Sequence, residues 1–345
     1  MTSAPPAADS FARPSLTSSD AASTIAALEH SAWALAAVAH LFKSGAISAD
    51  TVRLTSDEDK AAAQILASIG LLANVEGGYE PAQGMVELMA FVPATIRAEA
   101  TVSILRQIAA TAGILPNADA VGWASYDDET LLAQGRASSL GGRMLATIAV
   151  GGLAGLAERF HRGGRFLDVG TGVGELGAAF ADALPAATVV GLDVLGRALE
   201  LASGMIRARN LEGRFEVRLQ AVEDLDDIDS YDLAWIPAPF VPRAAFNAGL
   251  AKIHAALSPG GWVVVGAGRL DGDELAVSVT RWQTLLAGGT PLTADDAQMI
   301  LTTTGFVNVA AIPTPVGAPS LYCGQRPIID GSRNLTNRPS SSQGG

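Results

Sequence analysis

The sequence predicts an α/β protein: a largely parallel sheet covered by helices in the second half, preceded by a mainly helical first part. Three observations carry this. From about residue 160, short apolar runs rich in β-branched residues alternate with helical stretches, the texture of right-handed βαβ crossovers. Before residue 160 the apolar positions recur instead at helical spacing. A chain of 345 residues, 49% apolar and 17% charged, has the length for about two domains and excludes a wholly disordered or coiled-coil protein.

Residues 1–18, made of Pro, Ser, Ala and Thr with few apolar anchors, are expected to be a disordered leader, and residues 329–345 a disordered tail. Between 19 and 115 a helical domain is expected. Ile25, Leu28, Leu35, Val38 and Phe42 share one helical face, closed by Ser44-Gly45. Thr55 or Ser56 caps a second helix whose first turn carries Asp57, Glu58 and Asp59, and Gly70 ends it. Two short apolar stretches then flank Gly77-Gly78, the turn chemistry of a hairpin. Helix, helix and hairpin together are the order of a winged helix. Linking helices that form part of a pocket are expected over 116–160, with the apolar run 144–157 a buried helix. The α/β domain is expected over 161–328. Its strands open at Phe166, Thr188, Phe215, Leu233 and Trp262, with helices at 196–208 and 244–257. The stretches Phe306–Ala310 and Ser320–Cys323 lie too close for a helical crossover and are expected to pair antiparallel at one edge.

Charge narrows the partners. There are 23 basic and 35 acidic side chains, a net of −12, which disfavours phosphate backbones and anionic membranes. The winged-helix-like stretch 20–115 holds ten acidic and five basic residues, a net of −5, so packing or dimerisation is expected of it and DNA binding is not. The single cysteine, Cys323, excludes an intramolecular disulfide and a cysteine-rich metal cluster, and no metal is expected. With no signal-peptide pattern and no 18 uninterrupted apolar residues, a cytoplasmic location away from membranes is expected.

The first strand of the α/β part runs into Asp168-Val-Gly170-Thr-Gly172-Val-Gly174-Glu175. Glycines between a strand and a helix bring backbone close to a ligand at the helix N-terminus. The next strand ends in Asp193, placed to accept from a ribose hydroxyl pair. Two nucleotide-type ligands suit such a site. A dinucleotide would set its diphosphate beside Asp168 and Glu175, a repulsion of ~1 kcal/mol or more per close pair. S-adenosylmethionine has no phosphate and carries a sulfonium and an ammonium that acids attract. The spacing of 170, 172 and 174, G-x-G-x-G instead of G-x-G-x-x-G, also favours the methyl donor.

Phe166–Gly174, Val190–Val194, Tyr231–Trp235 and Leu257–Trp262, with Thr304–Val309 after them, resemble the class I S-adenosylmethionine-dependent methyltransferases. The front half and the insert near Asp273–Leu286 look like the small-molecule O-methyltransferase branch. That resemblance implies a Rossmann-like seven-stranded methyltransferase sheet, mostly parallel with the last strand antiparallel, and a homodimer formed through the N-terminal domain. It also implies that Asp168, Gly170, Thr171, Gly172 and Gly174 line the methionine end of the cofactor, that Asp193 and Val194 flank the ribose, and that Ile236 and Pro237 face the sulfonium. Ala221 stands where the family carries an adenine-side Asp; Glu223 or Gln220 substitutes, with Val222 packing on the ring.

Methyl transfer is an in-line displacement in which the protein chiefly holds the nucleophile near the methyl group. The O-methyltransferase branch places a His after the fourth strand; here Ile236–Pro242 has none, so the catalytic residue is unknown. His30, His40, His161 and His254 have no evident catalytic partner and are read as structural. Trp235 and Phe240 form either a substrate wall or core. Trp123, Tyr126, Gln134 and Arg136 contact substrate if they face the cleft; otherwise they belong to a domain-linking loop. The expected activity is methyl transfer to a hydroxyl of a small, secondary-metabolite-like acceptor. C- or N-methylation is the runner-up, followed by a nicotinamide-dependent oxidoreductase and a non-catalytic winged-helix regulator.

Overall fold

The computed structural model describes residues 17–48, 50–114, 122–270, 272–314 and 318–328. Residues 1–16 of the expected leader and the whole expected tail 329–345 lie outside the described residues. The chain divides into two compact units, residues 1–101 and 102–345.

The first unit begins with α1 (Ser18–Lys43), capped by Thr17 in a capping box with Asp20. α2 (Asp57–Ser68) follows with Ser56 as its N-cap: Ser56 Oγ accepts from Asp59 N–H at 3.0 Å, and Asp59 accepts back from Ser56 N–H at 3.2 Å. Of the two capping candidates, Ser56 is the cap. Thr55 serves the same carboxylate, donating its N–H to Asp59 at 2.9 Å. These bonds hold Asp59 down to about pKa 2, and His40 Nε2 lies 2.9 Å from it. The hairpin forms as expected, with β1 (Leu72–Val75) antiparallel to β2 (Gly78–Pro81). α3 (Gln83–Phe91) and α4 (Ala94–Thr111) complete this stretch.

Two expectations for α1 need correction. Its apolar stripe is buried only in the C-terminal half, where Ala37, Leu41 and Phe42 join Leu66, Leu72 and Met85 in the core. Ile25, Leu28 and Trp33 are exposed, because the neighbours that cover the helix begin one turn later. The requirement for an uninterrupted apolar run is also too strict. Ser19–Lys43 has a mean hydropathy of 1.3 and is long and apolar enough to cross a membrane by length and composition alone.

In the second unit, α5 (Asp128–Gly151) and α6 (Leu156–His161) lead into β3 (Arg165–Val169). The apolar run 144–157 is therefore not one helix. It is the end of α5, which stops at Gly151-Gly152, and the start of α6 after Gly155. Then come α7 (Glu175–Ala183), β4 (Thr188–Asp193), α8 (Gly196–Ala208), β5 (Phe215–Leu219), β6 (Tyr231–Pro237) and α9 (Arg243–Ala256). β7 (Leu257–Ala267), α10 (Glu274–Leu286), α11 (Ala294–Thr304), β8 (Val307–Ile312) and β9 (Ser320–Gln325) finish the unit. The sheet order is β5-β4-β3-β6-β7-β9-β8. The first five strands are parallel, and β9 is antiparallel to both β7 and β8.

Central strands of a helix-covered parallel sheet are buried on both faces, and Phe166, Leu167, Leu233, Val263 and Val264 are fully enclosed. The order reverses between β3 and β6, so the carboxyl ends of β3 and β4 open on a crevice beside β6, where ligands of open α/β sheets lie. Asp232, within one of the recurrent stretches, has a structural task at the opposite end. It accepts from Arg165 N–H at 2.9 Å and pairs with Arg159 at 2.8 Å, tying α6 to the entry of the sheet.

Candidate active site

The turn after β3 is built from three glycines at positive φ: 68° at Gly170, 55° at Gly172 and 82° at Gly174. Residues with a Cβ rarely adopt that backbone. Four of the turn's backbone donors are used within the protein. Gly170 and Thr171 N–H both donate to Leu192 carbonyl, at 2.8 and 3.0 Å, and Gly174 N–H donates to Thr171 carbonyl at 2.9 Å. Gly172 N–H donates to Asp193 Oδ2 at 2.8 Å, while Leu195 N–H donates to Asp193 Oδ1, also at 2.8 Å. A Cβ on Gly191 would strike the Thr171 side chain, so that glycine in β4 leaves room for Thr171 to lie across the strand. From there Thr171 Oγ1 donates to Asp168 Oδ2 at 2.8 Å.

Asp168 is 1% exposed. Burial pushes its carboxyl up to about 7, against the bonds from Thr171 and the Gly177 backbone, and the neighbouring Asp193 raises it further. Asp193 is raised too, by burial first. Among the described residues, no Lys or Arg is paired with either carboxyl. Glu175 differs: its carboxylate is paired with Arg209 on the α8 side, so its charge is already answered within the protein. Three acids, Asp168, Glu175 and Asp193, border the cavity, and of these Glu175 is paired with Arg209.

A cavity opens directly over this turn, walled by Asp168, Gly170, Thr171, Gly172, Asp193 and Pro237. Its far side is formed by Trp123, Gln134, Ser138, Trp235 and Phe240. Trp123 meets Phe240 edge-on at 5.3 Å and 87°, and leans on Tyr126 at 5.2 Å. The segment 122–125 is thus a short 3-10 turn on the cavity wall, and Gln134 lies on α5. Gln134 is fixed by Ser103 Oγ, which donates to its Oε1 at 2.8 Å. The remaining candidates sit outside the wall. Tyr126 is buried and its carbonyl accepts from Arg197. Arg136 is half-buried on α5 between the lining residues Gly135 and Ser138 but off the wall itself, Val194 is exposed beyond Asp193, and Gly174 and Ile236 are buried. Val222 packs in the core, where a Cβ on Gly249 would collide with it, and Glu223 is half-buried beside it.

No histidine among the described residues lines the cavity. His254 packs edge-on against Phe306 at 4.8 Å, and burial lowers its pKa.

Sequence reasoning missed how the roof reaches the site. α5 lies flat on the turn and on α7 because two glycines face them. A Cβ on Gly135 would sit 2.1 Å from Val173 Cγ2, and one on Gly142 2.1 Å from Leu176 carbonyl oxygen. The signal was there: glycines seven residues apart fall on one helical face and mark close approach.

Residues 166–261, from β3 into β7, match the family model described as the Methyltransferase domain. Over 112 residues, 31% of this chain, the sequence is 30% identical to the ubiquinone/menaquinone biosynthesis C-methyltransferase UbiE of Geotalea daltonii, and the match covers 46% of that protein. The chain spans about half the length of the curated relatives it matches. Solved structures are similar over most of the chain. A putative O-methyltransferase from Nostoc punctiforme superposes with a TM-score of 0.59 at 18% identity, covering 90% of this chain and 100% of that one. An O-methyltransferase family protein from Burkholderia thailandensis gives 0.57 at 16%, covering 91% and 99%. The fold is the one these O-methyltransferase structures share, and residues 166–261 are the part that matches the methyltransferase family model.

Proposed function

We propose that the chain is an S-adenosylmethionine-dependent methyltransferase that methylates a hydroxyl oxygen of a small molecule, of the kind found in secondary metabolism. One observation carries the cofactor reading: the glycine turn commits the N–H groups of Gly170, Thr171, Gly172 and Gly174 within the protein and sets buried carboxyls at the cavity. A diphosphate needs free donors and would meet Asp168 and Asp193 instead; a phosphate-free cationic nucleoside meets opposite charge. In this reading Asp168 and the 170–174 turn hold the methionine end, Asp193 and Val194 the ribose, and Val222 and Glu223 the adenine side. Pro237, which lines the cavity, borders the sulfonium, with Ile236 packed behind it. When bound, the cofactor supplies a methyl group already activated by its sulfonium. The protein's task is then to exclude water and hold the acceptor in line, which the ring wall of Trp123, Trp235 and Phe240 and the amide of Gln134 are placed to do.

A second reading, transfer to carbon, has support of its own: no histidine borders the cavity, and a curated relative is named a C-methyltransferase. A homodimer through the N-terminal unit belongs to the same proposal, supported by an apolar groove that includes Trp33, Val38, Ile65 and Ile69. So does a cytoplasmic location, consistent with a lone buried cysteine.

Calorimetric titration of the full chain with S-adenosylhomocysteine and with NADH tests the cofactor. Saturable binding of S-adenosylhomocysteine alone is expected, and saturable binding of NADH alone overturns the proposal. NMR of a product formed with isotope-labelled methyl donor then separates oxygen from carbon acceptors by chemical shift.

A further inference from the structure

α10 is built inside out. Its buried side is small and partly polar: Thr284 is 4% exposed, Val277 and Thr280 are half-buried, and both threonines approach Gly268 just beyond β7. Its apolar side faces outward, with Leu275, Val279, Trp282 and Leu286 all exposed. Those four residues are spaced by four, three and four, the alternation of a coiled-coil seam. Val277 and Thr284 fall at the position opposite the seam, so the helix is docked on the fold by the side a coiled coil leaves to solvent. The positions flanking the seam are Ala276, Ser278, Gln283 and Leu285, none of them charged.

Two features identify what covers it. The spacing is the same read in either direction, so two copies of this helix related by a two-fold axis present matching seams. The chain carries a net charge of −12, yet the seam and its flanks carry none, so two acidic copies meet there without bringing like charges together. A membrane surface is a poorer fit: Arg281 is the only basic residue on the helix, and interfacial helices rely on several.

We infer that α10 is a subunit-contact helix of the catalytic unit, packing antiparallel against α10 of a second copy with Leu275 facing Leu286 and Val279 facing Trp282. This deepens the homodimer reading, which names only the N-terminal unit. Four seam residues per copy are fewer than the roughly 20–30 per side of a standard interface, so α10 supplies one patch of the contact.

Sedimentation velocity on the full chain gives the dimer dissociation constant of the wild type, Trp282→Glu and Trp33→Glu. Trp282 is exposed, so its variant keeps the melting temperature of the isolated subunit, and its dissociation constant rises about tenfold or more, as for a central tryptophan anchor. Under mild oxidation the Leu275→Cys/Leu286→Cys double variant forms a covalent dimer. Either single variant does not, because two copies of one position lie about 16 Å apart along antiparallel helices. An unchanged dissociation constant for Trp282→Glu, or cross-linking by a single variant, overturns the α10 contact. If Trp33→Glu alone weakens the dimer, the N-terminal reading survives; a monomeric wild type removes both.

Discussion

With Asp168 at the cationic end of the ligand, as proposed, binding is expected to depend on pH, and the size of the effect follows from its surroundings. Burial holds its carboxyl at about 7 in the ligand-free protein. A cationic ligand binds best to the ionised form and lowers that pKa, so binding releases a proton. The ionised fraction is about nine tenths at pH 8, half at pH 7 and about one tenth at pH 6. Affinity for S-adenosylhomocysteine, whose ammonium stays charged over this range, therefore falls about tenfold from pH 8 to pH 6, or ~1.4 kcal/mol. Calorimetry in buffers of different ionisation enthalpy registers about half a proton released per ligand at pH 7. Asp168→Asn binds more weakly and shows no such pH slope. A dissociation constant that stays level between pH 6 and 8, or binding that tightens towards pH 6, refutes the assignment of Asp168 to the cationic end of the ligand.

The same carboxyl sets the pH dependence of stability with the opposite sense. Its folded pKa lies above the unfolded value of 3.8, so the folded state holds the extra proton and ligand-free stability declines as pH rises from about 4 through 7. Thermal melts of the ligand-free chain shift down over that range, and those of Asp168→Asn shift less. Gly142→Ala puts a Cβ 2.1 Å from a backbone oxygen, and a destabilisation of at least ~1–3 kcal/mol is expected in denaturant titration. Gly141→Ala, whose Cβ meets only the flexible end of Leu176 at 3.5 Å, is the control; it is neutral or stabilising by up to ~1 kcal/mol. Ser56→Ala removes the N-cap of α2 and lowers stability by ~1 kcal/mol in the same assay.

The seven strands, the glycine turn and the capped α2 were legible because each rests on neighbours in sequence. β-branched runs, glycines at positive φ, and a Ser with an Asp three residues on all act within one turn or one strand. Asp168 and Asp193 were legible as acids but not as a pair: their raised pKa values come from burial beneath α5 and the sheet. The pairing of Glu175 was not legible for the same reason, since its partner Arg209 lies 34 residues away. Phe240 and Trp235 were undecided between wall and core until β6 and the turn after it took their place beside Trp123.

The sequence by itself determined the seven strands of the sheet, the hairpin, the glycine turn and its acidity, because dihedral preference and formal charge belong to single residues. Only the tertiary structure decided which acids remain unanswered and how closely α5 covers them. It also settled which side of α1 and α10 is exposed. These depend on burial and on distances between segments remote in the chain, and no local pattern records them.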